Sequence, residues 1–172
     1  MPPIPPEPII QRQLKGLRRA KPPWSAARVI YTGLGLGLIP KAPGTFGTLL
    51  GIPLYWLLSP LGWPLYLVGT VFIFGLGFWA GLRAEADLDR HDAPEVVIDE
   101  VAGYLVTMFM APALPWCWVW GFVFFRLFDI LKPWPVSWAD RRVAGSLGVM
   151  LDDVLAGVYA WLSLRLLYSI IY

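Results

Sequence analysis

The sequence contains almost no cysteine or histidine, so it offers almost no thiol or imidazole groups. Its 172 residues include a single cysteine, Cys117, and a single histidine, His91. One cysteine cannot form a disulfide within the chain, and the absence of a Cys-x5-Arg motif excludes a thiol phosphatase. One histidine excludes any route that needs two catalytic histidines. The glycines match neither GxGxxG nor GxxxxGK[ST], so dinucleotide-binding and Walker-type loops are excluded too.

Charge is also scarce. Only 15% of the residues are charged, whereas 57% are hydrophobic, and the apolar runs approach the length of a membrane span. This composition predicts an integral membrane protein. No basic surface is apparent beyond the N-terminal tail, so we expect no nucleic-acid partner. An apolar h-region with a small-residue cleavage site is missing, and we therefore predict no signal peptide.

Five apolar segments follow a basic, Pro-rich tail at residues 1–28. Strand-type alternation is weak, so we predict an all-α, polytopic helical integral membrane protein with about four to five membrane segments and short interfacial helices. Residues 29–172 would form a single helical membrane domain. The apolar segments are predicted at 46–58, 64–82, 101–112, 116–131 and 154–171.

The distribution of charge predicts the orientation of these segments. The connections at 59–64 and 111–117 carry no charge, whereas the other connections and the tail hold nearly all of it. If the basic tail is cytoplasmic, alternation of five segments places every charged connection on the cytoplasmic side, as the positive-inside rule requires. Arg165 is the exception among the 14 Lys and Arg residues.

The predicted cytoplasmic ends of the segments carry the candidate functional residues. Acids occur at the starts of two segments, acids and cations occur at the end of another, and a Lys/Thr loop precedes the first. The acidic candidates are Asp99, Glu100, Asp129, Asp152 and Asp153. The other candidates are Lys41, Thr45, Arg126 and Lys132. Structural ion pairs at helix ends are the simpler interpretation, but acid pairs at two helix starts favour a site.

This set of residue types suits metal-assisted phosphoryl chemistry. Carboxylates without histidine or cysteine neighbours are hard oxygen ligands, which Mg²⁺ prefers. Arg126, Lys132 and Lys41 carry the charge that a phosphate needs. In the loop "IPKAPGTFGTLL", Gly44 permits close backbone approach, and Thr45 is a candidate N-cap for the first segment.

Four motifs together resemble the bacterial phosphatidylglycerophosphatase A family. They are "GLIPKAPGTFGTL", "VVIDEVAG", "FRLFDILKPWPVSWAD" and "GVMLDDVLAG", and they occur in this order. The resemblance implies an Mg²⁺-dependent, multi-pass enzyme of the bacterial cytoplasmic (inner) membrane, with residues 29–172 as its catalytic domain. It would hydrolyse the terminal phosphomonoester of phosphatidylglycerophosphate to phosphatidylglycerol and phosphate, with its active site facing the cytoplasm.

The resemblance also implies roles for the candidate residues. The five acids would be catalytic and would include the metal ligands, although one of them could instead act as a general base. Arg126 and Lys132 would hold the phosphate, with Lys41 and Thr45 assisting. The lipid substrate would enter from the surrounding bilayer lipids. Homo-oligomerisation is left open by the sequence.

Two other functions are compatible with membrane carboxylates. A phosphotransferase of the CDP-alcohol type also uses Mg²⁺, but its DxxDGxxAR…GxxxDxxxD pattern is absent. A small cation transporter would use acids near the middle of the membrane. The acids here are predicted at helix ends with cations among them, which favours an anionic substrate.

Overall fold

The computed structural model describes residues 23–90 and 92–172. Within these residues the protein is all-helical and contains no strand, which confirms the predicted class. The predictions for residues 1–22 and for His91 lie outside the described residues. The described helices are α1 (Ala26–Tyr31), α2 (Pro43–Leu58), α3 (Trp63–Leu88), α4 (Ile98–Thr107), α5 (Pro115–Leu131), α6 (Val136–Arg142) and α7 (Ser146–Ile171).

Helix α4 is the centre of the fold although it has only 10 residues. Most of its side chains are buried, and it packs chiefly against α7 and α2. Two glycines, Gly103 on α4 and Gly157 on α7, allow these helices to approach closely. A Cβ at Gly157 would lie 2.4 Å from the carbonyl oxygen of Gly103. Any larger residue at this crossing would push α4 and α7 apart, so the two glycines fix how deeply the α4 acids lie.

Among the described residues, two helices are long and apolar enough to cross a membrane, namely α3 and α7, each of 26 residues. Only 28% and 22% of their most apolar windows are buried. Their apolar side chains therefore face outward, unlike those in the core helix of a soluble protein. By contrast, α2 and α5 have 16 and 17 residues, somewhat less than the ~20 that a bilayer core requires. The described residues thus confirm an all-helical chain with two candidate membrane spans, and the number of four to five membrane segments stays a prediction.

The two uncharged connections meet at one end of the bundle. The hydroxyl group of Tyr55, near the end of α2, donates to the carbonyl oxygen of Ala111 at 2.9 Å. The ring of Tyr55 also packs edge-on against Tyr66 near the start of α3. The start of α4, the end of α5 and the first turns of α7 lie together at the opposite end, where the charged candidate residues are found.

Candidate active site

Two of the predicted acids begin helix α4. Asp99 and Glu100 occupy its first turn, where a negative charge interacts favourably with the helix dipole. The entry of the chain is held by Val97, whose N–H donates to the carbonyl oxygen of Tyr31 at 2.8 Å. Asp99 is 6% exposed, so its carboxylate faces the interior of the bundle rather than water.

The second acid pair lies on α7, deeper in the helix than the sequence predicted. The helix begins at Ser146, eight residues before the predicted segment start, because Asp152 and Asp153 are accommodated inside it and do not end it. Both residues are only 4% exposed. A hydropathy pattern cannot detect this, since it treats every carboxylate as a break in an apolar run.

Three carboxylates from α4 and α7 converge. Asp99, Glu100 and Asp153 each offer an oxygen, and these atoms all lie within 4.8 Å of one another. Asp153 Oδ2 and Glu100 Oε2 are buried and accept no hydrogen bond from the described part of the chain. Buried acceptors of like charge at this separation are costly unless a cation or hydrogen-bond donors reach them. This group of three is called the carboxylate triad below.

The other two acids contact the cationic side chains. Arg126 NH1 lies 2.6 Å from Asp129 Oδ2, one helical turn along α5, and 3.8 Å from Glu100 Oε1. Lys132 Nζ lies 2.7 Å from Asp152 Oδ2. Asp129 and Asp152 thus each pair with a cation, and Glu100 connects the carboxylate triad to this group through Arg126.

Lys132 is also held by a second acid, which the sequence did not single out. Its ammonium group also donates to the carboxylate of Asp140, on helix α6. Burial lowers the pKa of Lys132, but the hydrogen bonds and charges of Asp140 and Asp152 outweigh burial and raise the pKa above its usual value. The two carboxylates therefore favour the charged form of Lys132. The only sequence signal for Asp140 is that it ends the motif "FRLFDILKPWPVSWAD".

These groups surround a cavity of about 280 Å³. Six carboxylates and two cations line it, so its acidic charge exceeds the charge that the protein supplies to balance it. A larger cavity of about 390 Å³, lined mostly by apolar side chains near α1, contains none of the predicted site residues. The lining of the acidic cavity is Asp92, Asp99, Glu100, Arg126, Asp129, Ile130, Lys132, Val149, Asp152 and Asp153.

Lys41 and Thr45 do not line this cavity. Lys41 is exposed, and the predicted N-cap role of Thr45 is wrong, since α2 begins at Pro43 with Ala42 as its N-cap. What the loop brings to the site is Gly44, at which a Cβ would lie 2.2 Å from Glu100 Oε1. The prediction that Gly44 permits close approach is therefore confirmed, but the group it approaches is Glu100.

The chain was compared with known proteins. The family model described as Phosphatidylglycerophosphatase A matches residues 29–168. Over 149 residues the chain is 39% identical to Phosphatidylglycerophosphatase A of Escherichia coli (strain K12), covering 86% of this chain and 83% of the relative. Over 134 residues it is 41% identical to Phosphatidylglycerophosphatase A of Haemophilus influenzae, covering 77% and 82% of the two chains.

A further relative carries a different name. Over 143 residues the chain is 39% identical to a Bacteroides thetaiotaomicron protein provisionally named a phosphatidylinositol-3-phosphatase, covering 78% of this chain and 88% of the relative. No solved structure shows significant similarity to the chain.

Proposed function

The chain belongs to the phosphatidylglycerophosphatase A family, and from this premise we propose that it hydrolyses the terminal phosphomonoester of phosphatidylglycerophosphate. The proposed reaction uses Mg²⁺ and takes place at the cytoplasmic face of the bacterial inner membrane. Membership makes it a lipid phosphatase that acts in phosphatidylglycerol synthesis. The observation that carries the rest of the proposal is the carboxylate triad beside two fixed cations.

Mg²⁺ fits the donor set at this site. Three carboxylate oxygens within 4.8 Å of one another match the preference of Mg²⁺ for hard oxygen ligands, with positions left for water and a phosphoryl oxygen. We assign Asp99, Glu100 and Asp153 as its ligands. Asp129 and Asp152 contribute mainly by holding Arg126 and Lys132, whereas the sequence leaves open which of the five acids bind the metal directly. When bound, the ion supplies Lewis-acid stabilisation of the phosphoryl charge.

The two cations are suited to hold the phosphate. Arg126 has five N–H donors, and its pairing with Asp129 leaves donors for a phosphoryl oxygen. Lys132 has three donors, of which Asp140 and Asp152 take two. Charge that develops on the phosphoryl oxygens during the reaction is stabilised most by donors that are already in place.

The hydrolysis itself uses water as the nucleophile. Its oxygen forms a bond to phosphorus while the bond from phosphorus to the glycerol oxygen breaks, and a proton reaches the departing oxygen. A carboxylate that lines the cavity would take the proton from water, and Arg126 and Lys132 would stabilise the charge on the phosphoryl group. The lipid would approach from the inner leaflet with its acyl chains in the bilayer.

The fold supports the proposed orientation. The start of α4 and the end of α5 place their charged residues at one end of the bundle, whereas both uncharged connections lie at the other end. We propose that α2, α4 and α5 lie within the membrane with α3 and α7, so that the acidic cavity opens to the cytoplasm.

Phosphate release from purified, detergent-solubilised protein tests the function. We expect release from phosphatidylglycerophosphate that stops in EDTA and returns with Mg²⁺. Phosphatidylinositol 3-phosphate, suggested by the name of one relative, is the comparison substrate, and we expect a lower kcat/KM for it. Mg²⁺-independent release would contradict the assigned cofactor, while no release from either lipid would favour the transporter alternative.

A further inference from the structure

The contact between Lys132 and Asp140 involves an acid that has no role in the proposed binding of metal or phosphate. Lys132 Nζ bridges the carboxylates of Asp140, on α6, and Asp152, on α7. Asp152 lines the acidic cavity together with Lys132, whereas Asp140 does not. One carboxylate therefore reaches the ammonium group from the cavity, and the other reaches it from the surrounding protein.

The backbone around Lys132 is built to present its side chain. Lys132 ends helix α5 in the left-handed region, with φ of 43°, which a residue with a Cβ adopts only when its surroundings hold it there. Its N–H donates to the carbonyl oxygen of Phe128 at 2.9 Å. Two residues further on, the hydroxyl group of Tyr159 on α7 holds the carbonyl oxygen of Trp134 at 2.9 Å.

A purely stabilising role explains the Asp140 contact poorly. The side chains of Lys132 and Asp140 are 31% and 32% exposed, and ion pairs that water reaches contribute little to stability. Asp152, by contrast, is only 5% exposed in its side chain. The buried Asp152 needs Lys132 as its counter-charge, whereas the contact of the exposed Asp140 is explained by what it does to the position of Lys132.

Asp152 alone cannot keep the ammonium group in place during the reaction. It faces the same cavity as the carboxylate triad, and a divalent cation there would attract Asp152 and repel Lys132. A lysine with no other partner would then rotate towards water, because its four-carbon side chain is flexible. Asp140 lies outside the cavity and gives Lys132 a partner that this competition does not affect.

We propose that Asp140 is the positioning residue for Lys132: it anchors the ammonium group from outside the cavity, so that the third N–H donor of Lys132 stays directed at the substrate phosphate. Asp140 itself touches neither substrate nor metal. This inference rests on the proposed function, because it takes Lys132 to be a phosphate ligand. Asp140 and Asp152 would thus have different roles, although both contact Lys132.

The test is binding of inorganic phosphate to the full-length protein in detergent with Mg²⁺ present, read as the phosphate-dependent rise in unfolding temperature. Asp140→Asn keeps the shape of the side chain and removes its charge. We expect the apparent Kd of phosphate to rise about tenfold, the loss of one charge-assisted contact, while the half-saturating Mg²⁺ concentration changes less than about twofold. Asp140→Glu should recover most of the affinity. Arg141→Gln, a neighbouring charge on the exposed face of α6, is the matched control and should bind as the wild type does.

A double-variant cycle separates positioning from a general structural effect. If Asp140 acts through Lys132, Lys132→Ala and Lys132→Ala/Asp140→Asn should bind phosphate equally weakly. An unchanged Kd in Asp140→Asn, or a further loss in the double variant, would overturn the proposal, as would the absence of any phosphate effect on the wild type. Because this readout needs no turnover, a wild type that binds phosphate but releases none from phosphatidylglycerophosphate would count against the proposed function alone.

Discussion

Replacing Asp153 by asparagine should stabilise the metal-free protein while it abolishes the response to metal. Asp153 shares the carboxylate triad with Asp99 and Glu100, and their oxygens lie within 4.8 Å of one another. At that distance and an effective dielectric constant of ~20, two unit charges repel by about 3.5 kcal/mol. Local rearrangement and water relieve part of this repulsion, so we expect the substitution to stabilise the metal-free fold by roughly 1–2 kcal/mol, or about 2–8 °C for a chain of this size.

The measurement is thermal unfolding of the detergent-solubilised protein, followed by tryptophan fluorescence in EDTA and in Mg²⁺. The wild type should gain stability from Mg²⁺, since an ion that binds only the folded state stabilises it. Asp153→Asn should start from a higher unfolding temperature in EDTA and gain almost nothing. Arg141→Gln, which removes an exposed charge outside the acidic cavity, is the control and should gain stability from Mg²⁺ as the wild type does. A lower unfolding temperature for Asp153→Asn in EDTA, or a retained Mg²⁺ effect, would refute this reasoning.

Three further predictions follow from the structure. Gly44→Ala should lower phosphate release at least tenfold, because the new Cβ would lie 2.2 Å from Glu100 Oε1. The control is Gly75→Ala, where a Cβ meets nothing within 4 Å. Equal activity of both variants would contradict the expectation. Cys117→Ser should retain most activity, since Cys117 lies twelve residues before Asp129 on α5, about 18 Å along the helix; loss of activity in a folded variant would reopen a thiol mechanism. A cysteine placed at Asp89 in the Cys117→Ser background should resist an impermeant thiol reagent in intact cells, and ready labelling would reverse the proposed orientation.

The helices were largely predictable from the sequence, since apolar runs and Pro- or Gly-rich connections mark them. The predicted end of the segment at 116–131 agrees with the end of α5 at Leu131. The start of α7 was placed eight residues too late because Asp152 and Asp153 interrupt the hydropathy pattern. Their burial is possible only because partners from α4 and α5 surround them, which a single segment cannot reveal.

Seven of the nine candidate residues predicted from the sequence line one cavity in the structure, but which acids face one another and which pair with cations was not predictable. The sequence identified Asp99, at the start of one helix, and Asp129, at the end of another, alike as acids on the same predicted side of the membrane. Whether an acid faces other acids, as Asp99 does, or pairs with a cation, as Asp129 does, depends on side-chain directions across three helices. Asp140 was missed for the same reason: nothing in a short surface helix indicates that its one acid reaches Lys132.

Titration of phosphate release with Mg²⁺ tests the central claim most directly, namely that the carboxylate triad is a catalytic metal site. The variants to compare are Asp99→Asn, which removes a proposed ligand, and Asp129→Asn, which removes a partner of Arg126. We predict that Asp99→Asn loses activity by orders of magnitude and that added Mg²⁺ does not restore it, whereas Asp129→Asn loses activity but keeps the Mg²⁺ half-saturation of the wild type. Near-full activity of Asp99→Asn with an unchanged Mg²⁺ requirement would contradict the account and leave the triad a structural feature.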